Sequence, residues 1–170
     1  MAPGEIPPIL TDWFASRGWA IRPHQREMLA AAKAGRHALL TAPTGAGKTL
    51  AGFLPTLIDL IEREHDTSGH AEPVAASGLA QPALRQAQGE PDGLHTLYIS
   101  PLKALAVDVQ RNLLTPIADM GLPITVETRS GDTPVGRKAR QRVKPPQILL
   151  ATPESLNLLL SQPESFTLFA

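Results

Sequence analysis

The chain has 170 residues, 42% of them hydrophobic and 19% charged, and its 16 basic and 16 acidic side chains cancel. That is an ordinary globular composition with room for one domain and its own core, and it gives no overall cationic signal for a nucleic-acid partner. The lack of cysteine excludes disulfides, thiolate metal sites and a cysteine nucleophile, and no apolar run approaches the roughly 18 residues of a membrane span.

The first residues, Met1-Ala-Pro-Gly-Glu-Ile-Pro-Pro8, have neither the basic start nor the apolar core of a secretory leader, so the expected location is the cytoplasm, with no membrane partner. Pro7 to Arg17 reads as a short helix with Ile9, Leu10, Trp13 and Phe14 on one face, ended by Gly18. Trp13 and Phe14 read as core residues, with an aromatic packed against a binding site as the alternative. Ile21-Arg-Pro23 is extended, because a residue before proline avoids the helical region. His24 to Ala34 is a second helix closed by Gly35. His37-Ala-Leu-Leu-Thr41 is a short apolar run bounded by turn formers, the pattern of a buried strand. A glycine-rich loop follows, and then a helix from about Gly47 to Glu64.

From Asp66 to Gly93 the apolar period disappears and Ala, Gln, Gly, Pro and Ser dominate. Structureless stretches this long are uncommon in compact domains, and the expectation is a disordered insertion, either a solvated loop or a tether for a partner. Regular structure resumes with a strand at His95–Ser100, a helix at Leu102–Met120, a strand at Pro123–Glu127 and a helix at Thr133–Val143. A strand at Gln147–Ala151 and a helix from Pro153 to about Leu160 complete the series. Strands alternating with helices of this length imply right-handed crossovers and an α/β fold, a mostly parallel sheet with helices on both faces.

Ala42-Pro-Thr-Gly-Ala-Gly-Lys-Thr49 lies between a predicted strand and a predicted helix. Consecutive amides in such a loop cradle phosphate oxygens, and the following helix adds the partial positive charge of its N-terminus. Gly45 and Gly47 permit dihedrals and close approach that a side chain would block. Lys48 is expected to reach the β/γ-phosphates, and Thr49 to place its hydroxyl on Mg²⁺ held with the nucleotide. The first position of the general pattern is glycine, and here it is Ala42.

The form Ala42-Pro43-Thr44-Gly45-Ala46-Gly47-Lys48-Thr49 resembles motif I of superfamily 2 helicases. Arg22-Pro-His-Gln25 is similar to the family's adenine-reading Q motif, Ser100-Pro101-Leu-Lys103-Ala-Leu105 to motif Ia, and Ala151-Thr152-Pro153-Glu154-Ser-Leu156 to motif Ib. Thr128-Arg129-Ser130-Gly131-Asp132-Thr133 is similar to its glycine-containing nucleic-acid loop. Within the superfamily the likeness is to the large helicase-related (Lhr-type) DExH proteins, some of which are found with DNA-repair ligases and nucleases. The resemblance implies a RecA-like P-loop NTPase fold. Residues 1–35 would be N-terminal helices carrying the Q-like motif, and residues 36–170 part of the ATP-binding domain, cut short at its C-terminus. It implies ATP and Mg²⁺ as cofactors and DNA as partner, with RNA the alternative.

Gln25 carries the donor and acceptor that an adenine edge requires, and Arg22 is placed to stack on the ring; the plainer reading of Gln25 is a solvated residue at a helix start. Ser100-Pro101 and Thr152-Pro153 each read as a hydroxyl N-cap followed by proline at the first helical position. Two such starts on one sheet edge would hold successive phosphates, with help from Lys103 and Glu154's neighbour Thr152; the plainer reading is capping alone. Arg129, Ser130 and Gly131 are expected at a sugar–phosphate chain. The basic stretch Arg137–Lys144 reads as a solvated helix face or a further nucleic-acid contact. The five histidines show no metal-ligand spacing.

Hydrolysis also needs carboxylates for Mg²⁺ and for the attacking water. The family supplies them from a DExH motif downstream of motif Ib, and Phe169-Ala170 ends the sequence before one. The chain alone is therefore expected to bind ATP without turning it over, with Lys48 and Thr49 its only residues of the catalytic machinery and the second motor domain absent. The alternative is a non-catalytic nucleotide- or nucleic-acid-binding module derived from the same fold.

Overall fold

The computed structural model describes residues 6–68 and 93–169. Helix α1 (Pro8–Ser16) opens on a proline, whose missing amide costs nothing in a first turn, and ends where Gly18 turns left-handed at φ 66°. Helix α2 (Pro23–Lys33) repeats the device, with Pro23 at its start and Gly35 at φ 61° beyond its end. The long α3 (Lys48–Ser68) follows the glycine-rich loop, and then come β1 (Thr96–Ile99), α4 (Lys103–Asp119) and β2 (Val126–Arg129). Helix α5 (Val135–Val143), β3 (Ile148–Ala151) and α6 (Pro153–Leu160) lead into a closing 3₁₀ turn at Pro163–Leu168 that the sequence had not suggested.

The sheet is parallel in the order β1-β3-β2. Ile99 and Arg129 both pair with Ala151, so all three strands end level. The central β3, Ile-Leu-Leu-Ala, is buried throughout, as a strand covered on both faces must be. One face takes Ile148 and Leu150 into a cluster with Phe53, Leu57 and Leu60 of α3 and Val109, Leu113 and Ile117 of α4. The other packs Leu149 against Leu159 of α6 and Leu168 of the closing turn. The expected α/β arrangement, parallel with helices on both faces, is what the structure shows.

Helix α3 is apolar on two sides. Leu54, Ile58 and Ile61 turn away from the sheet and pack on Leu10, Trp13 and Phe14 of α1 and Leu29 of α2. A helix with two apolar faces packs on both sides, and α3 is the layer shared by the N-terminal helices and the sheet. Trp13 and Phe14 are core residues, as read. The tie from α1 to the rest is completed by Trp13, whose Nε1–H donates to Asp119 Oδ2 at 3.0 Å, and by Arg17, which pairs with the same carboxylate.

The structure corrects three readings. His37–Thr41 is not a strand: no strand among the described residues lies beside it, and Leu39 is 94% exposed. An apolar run becomes a strand only by hydrogen bonding to a neighbour, and the described sheet holds β1, β3 and β2 alone. The expected insertion begins too early, because Asp66, Thr67 and Ser68 continue α3 and Gly93 is described; the remainder, 69–92, lies outside the described residues. The strand expected at 123–127 runs instead from Val126 to Arg129. Pro123 has no amide to give a ladder, and Thr125 N–H donates to the Gln147 side chain at 2.9 Å.

Candidate functional site: a phosphate loop and a sheet edge

The loop Ala42–Thr49 curls as its sequence requires. Gly45 and Gly47 sit at φ 78° and 76°, in the left-handed region that other residues enter only at a cost. The turn is closed by Ala46 N–H donating to Pro43 O at 3.2 Å. Because α3 starts at Lys48, the amides of its first turn have no acceptor within the helix. Lys48 Nζ folds back over the loop, donating to Ala42 O at 2.7 Å and Pro43 O at 2.8 Å. The ammonium and the free amides therefore converge on one small region, a donor set suited to phosphate oxygens, with Thr49 in the same helical turn.

The loop forms one wall of a cleft of about 540 Å³. Trp13, Arg17 and Trp19 make a second wall, and Asn112, Leu113, Thr115 and Pro116 of α4 a third. Trp19 stands edge-on to Trp13, with ring centroids 5.7 Å apart. Trp19 and the α4 residues were not singled out from the sequence, because nothing local in either segment links it to the loop.

Gln25 is only 3% exposed, so it is not a solvated helix-start residue. Its Oε1 accepts from Arg22 N–H at 2.9 Å, which fixes the entry of α2. Its Nε2 lies 3.2 Å from where a Cβ on Gly47 would stand. Arg22 reaches the loop too, donating to Gly45 O at 3.4 Å. The Arg22-Pro-His-Gln25 segment is thus docked on the phosphate loop. Gln25 anchors its Oε1 on the backbone and turns its amide Nε2 toward Gly47.

At the sheet, Ser100, Ser130 and Thr152 are the residues that immediately follow the paired Ile99, Arg129 and Ala151. They leave the sheet side by side on its carboxyl edge, where open α/β sheets place ligands. Thr152 is the N-cap of α6, its Oγ1 accepting from Ser155 N–H, and Pro153 is at the first helical position, as read. Glu154 follows in the exposed first turn; its own amide and the Thr152 hydroxyl hold its carboxyl below the usual carboxylate range. Motif Ia differs from motif Ib. Ser100 N–H donates to Ala151 O at 3.0 Å and so prolongs the ladder, which leaves Leu102 as the N-cap of α4; Ser100 and Pro101 form the bend before it. Lys103, the first residue of α4, pairs with Asp132.

Arg129 does not face the edge. Its guanidinium is buried under α5, donating to Lys138 O at 3.0 Å and Gln141 Oε1 at 3.2 Å. Burial, and secondarily the neighbouring Arg142 charge, lower its pKa from the ordinary arginine value. Its strand position explains this, since β2 alternates and Arg129 shares the face of Glu127, against α5. The basic stretch of α5 is largely committed as well: Arg140 pairs with Glu127, Arg142 with Glu164, and Lys138 Nζ donates to Gly131 O at 2.9 Å. The cleft reaches α4 at Asn112–Pro116, nine or more residues from Lys103, which is about 14 Å along a helix.

A positive-φ glycine loop closing onto a helix N-terminus, beside a level-ended parallel sheet, defines a RecA-like P-loop NTPase domain. Residues 22–169 match the DEAD/DEAH box helicase family. The chain belongs to that family. It is 39% identical over 97% of its length to the Lhr helicase/probable uracil glycosylase of Mycolicibacterium smegmatis, and 33% identical over 92% to the ATP-dependent helicase Lhr-Core of Saccharolobus solfataricus. It spans only 10% and 16% of those proteins. The solved structure of Mycobacterium smegmatis helicase Lhr bound to ssDNA and AMP-PNP superposes with a TM-score of 0.72 at 36% identity, over 96% of this chain and 19% of that one. The helicase MrfA, at 24% identity and a TM-score of 0.73, shares the fold. No helix among the described residues is long and apolar enough to cross a membrane.

Proposed function

We propose that this chain is the N-terminal ATP-binding portion of an Lhr-type ATP-dependent DNA helicase. The observation that carries the reading is the conjunction of Gly45 and Gly47 at positive φ with Lys48 folded across the loop mouth. In the free chain the Lys48 ammonium is held by two carbonyls of its own loop. A triphosphate offers a stronger, charged acceptor, so Lys48 exchanges Ala42 O and Pro43 O for phosphate oxygens. The first-turn amides of α3 meet the same phosphates, and the Thr49 hydroxyl is the ligand this chain offers to a nucleotide-bound Mg²⁺. ATP supplies the free energy that a helicase spends on moving along nucleic acid. Gln25 braces Gly47 from behind and offers its amide N–H₂ to the base, with Arg22 beside it.

The nucleic-acid surface in this reading is the carboxyl edge, formed by Ser100, Pro101, Lys103, Ser130, Gly131, Thr152, Pro153 and Glu154. Single-stranded DNA is favoured as partner by the relative solved with it. RNA is the second reading, supported by 30% identity over 71% of the chain to the DExH-box ATP-dependent RNA helicase DExH12 of Arabidopsis thaliana. A setting in DNA repair, in the cytoplasm, belongs to the same reading; the glycosylase in the name of the Escherichia coli relative, Lhr helicase/uracil glycosylase, supports its repair part. Turnover belongs to the longer protein with its second motor domain. The test is binding of a non-hydrolysable ATP analogue by the chain and by Lys48→Ala. A loss of about tenfold or more is expected, since a charge-assisted contact contributes roughly 1.5–3 kcal/mol. Equal affinity would remove Lys48 from the site and the proposal with it.

A further inference from the structure

Lys103 and Asp132 stand on opposite sides of the sheet edge. Lys103 follows β1 and Asp132 follows β2, and β3 lies between those strands. Outer strands flanking a central one are about 10 Å apart. Their ion pair therefore spans the end of β3.

The Asp132 loop is built to hold that position. Ser130 N–H donates to Thr133 Oγ1 at 2.9 Å, Thr133 N–H returns to Ser130 O at 3.1 Å, and Lys138 Nζ donates to Gly131 O at 2.9 Å. The loop is pinned at both ends and from α5, while the Asp132 side chain is 74% exposed. Lys103, 54% exposed, has the reach and freedom to change partner.

We infer that Asp132 is a built-in stand-in for a backbone phosphate: it occupies Lys103 in the free chain and is displaced when a nucleic-acid strand crosses the edge. The inference rests on the nucleic-acid surface proposed above and adds its regulation. Binding exchanges one anion for another at Lys103, so the gain from that contact is smaller than for a free lysine. Asp132 sets the affinity of the edge low, which suits a surface that must release and regrip a strand.

The experiment is a double-mutant cycle on the full chain. Binding of fluorescein-labelled oligo(dT) is followed by anisotropy across a salt series, with thermal melts confirming that each variant folds. Asp132→Asn is expected to tighten binding about two- to fivefold at low salt, the range for one exposed ion pair. Lys103→Gln is expected to weaken it and to flatten the plot of log affinity against log salt by about one. In the Lys103→Gln background, Asp132→Asn is expected to have little further effect, because the carboxylate then has no lysine to withhold. An Asp132→Asn gain of the same size in both backgrounds would mean that Asp132 acts only as a nearby negative charge, and would overturn the inference. No gain in either background would overturn it too. Failure of every form, wild type included, to bind the oligonucleotide would instead sink the nucleic-acid surface itself.

Discussion

Gly47→Ala tests the packing behind the phosphate loop, with Gly45→Ala as its control. Both glycines are left-handed, at φ 76° and 78°, so alanine at either carries a conformational cost of about 1–2 kcal/mol. The surroundings differ. A Cβ on Gly45 meets nothing within 4 Å, whereas one on Gly47 lies 3.2 Å from Gln25 Nε2. That neighbour cannot swing aside freely, because Gln25 is buried and anchored through Oε1 to Arg22 N–H. Crowding of this kind adds roughly 1–3 kcal/mol. A half-exposed loop relaxes when strained, so the cost falls on nucleotide binding, which must restore the curl. Gly45→Ala should then weaken binding of an ATP analogue about 5- to 30-fold, and Gly47→Ala by a further factor of about ten. Calorimetric titration measures both. In a Gln25→Ala background the extra loss at Gly47 should vanish while the loss at Gly45 persists. Equal losses for the two glycines, or no recovery when Gln25 is shortened, would refute the docking of α2 on the loop.

Leu57→Ala removes a fully buried side chain from the cluster between α3 and the sheet and should cost about 2–5 kcal/mol; a thermal melt should fall by roughly 5–15 °C. Thr152→Ala deletes the α6 cap and should cost about 1 kcal/mol, a drop of roughly 2–4 °C, with nucleotide affinity unchanged because α6 is not part of the cleft. The Trp13 indole, and after it the Arg17 guanidinium, hold the Asp119 carboxyl below its ordinary value. A folded pKa below the unfolded one means that the stabilisation is present above the unfolded pKa and lost as pH falls through the folded one. Tryptophan emission should therefore change in acid as α1 loosens from α4, and Asp119→Asn should abolish that step; an identical acid transition in the variant would rule out this carboxylate.

Most helices were legible because their signals are local. Proline at the start and glycine past the end bracket α1 and α2, and the threonine–proline pair places the start of α6 to the residue. The phosphate loop was legible for the same reason, since its glycines are needed by the backbone conformation itself. What sequence could not supply was partnership. His37–Thr41 has the composition of a strand and lacks a neighbour, while Ser100 looks like a cap and is held in the ladder by Ala151 O. Arg129 carries the right charge for a phosphate contact, but strand alternation turns it beneath α5 onto Gln141. Asp132 was one residue of a glycine-containing motif, with no partner named for it, until the fold brought Lys103 across to it. Each of these depends on which elements lie side by side, and residue type alone does not fix that.

Helix α3 starts with Lys48, the residue proposed to grip phosphate, and is wedged between two cores from Phe53 to Ile61. Close-packed interiors resist local deformation, so such a rod cannot tilt or slide by itself. A displacement forced on its first turn is shared with the N-terminal helices on one side and the sheet on the other, so α3 ties the loop mechanically to both layers.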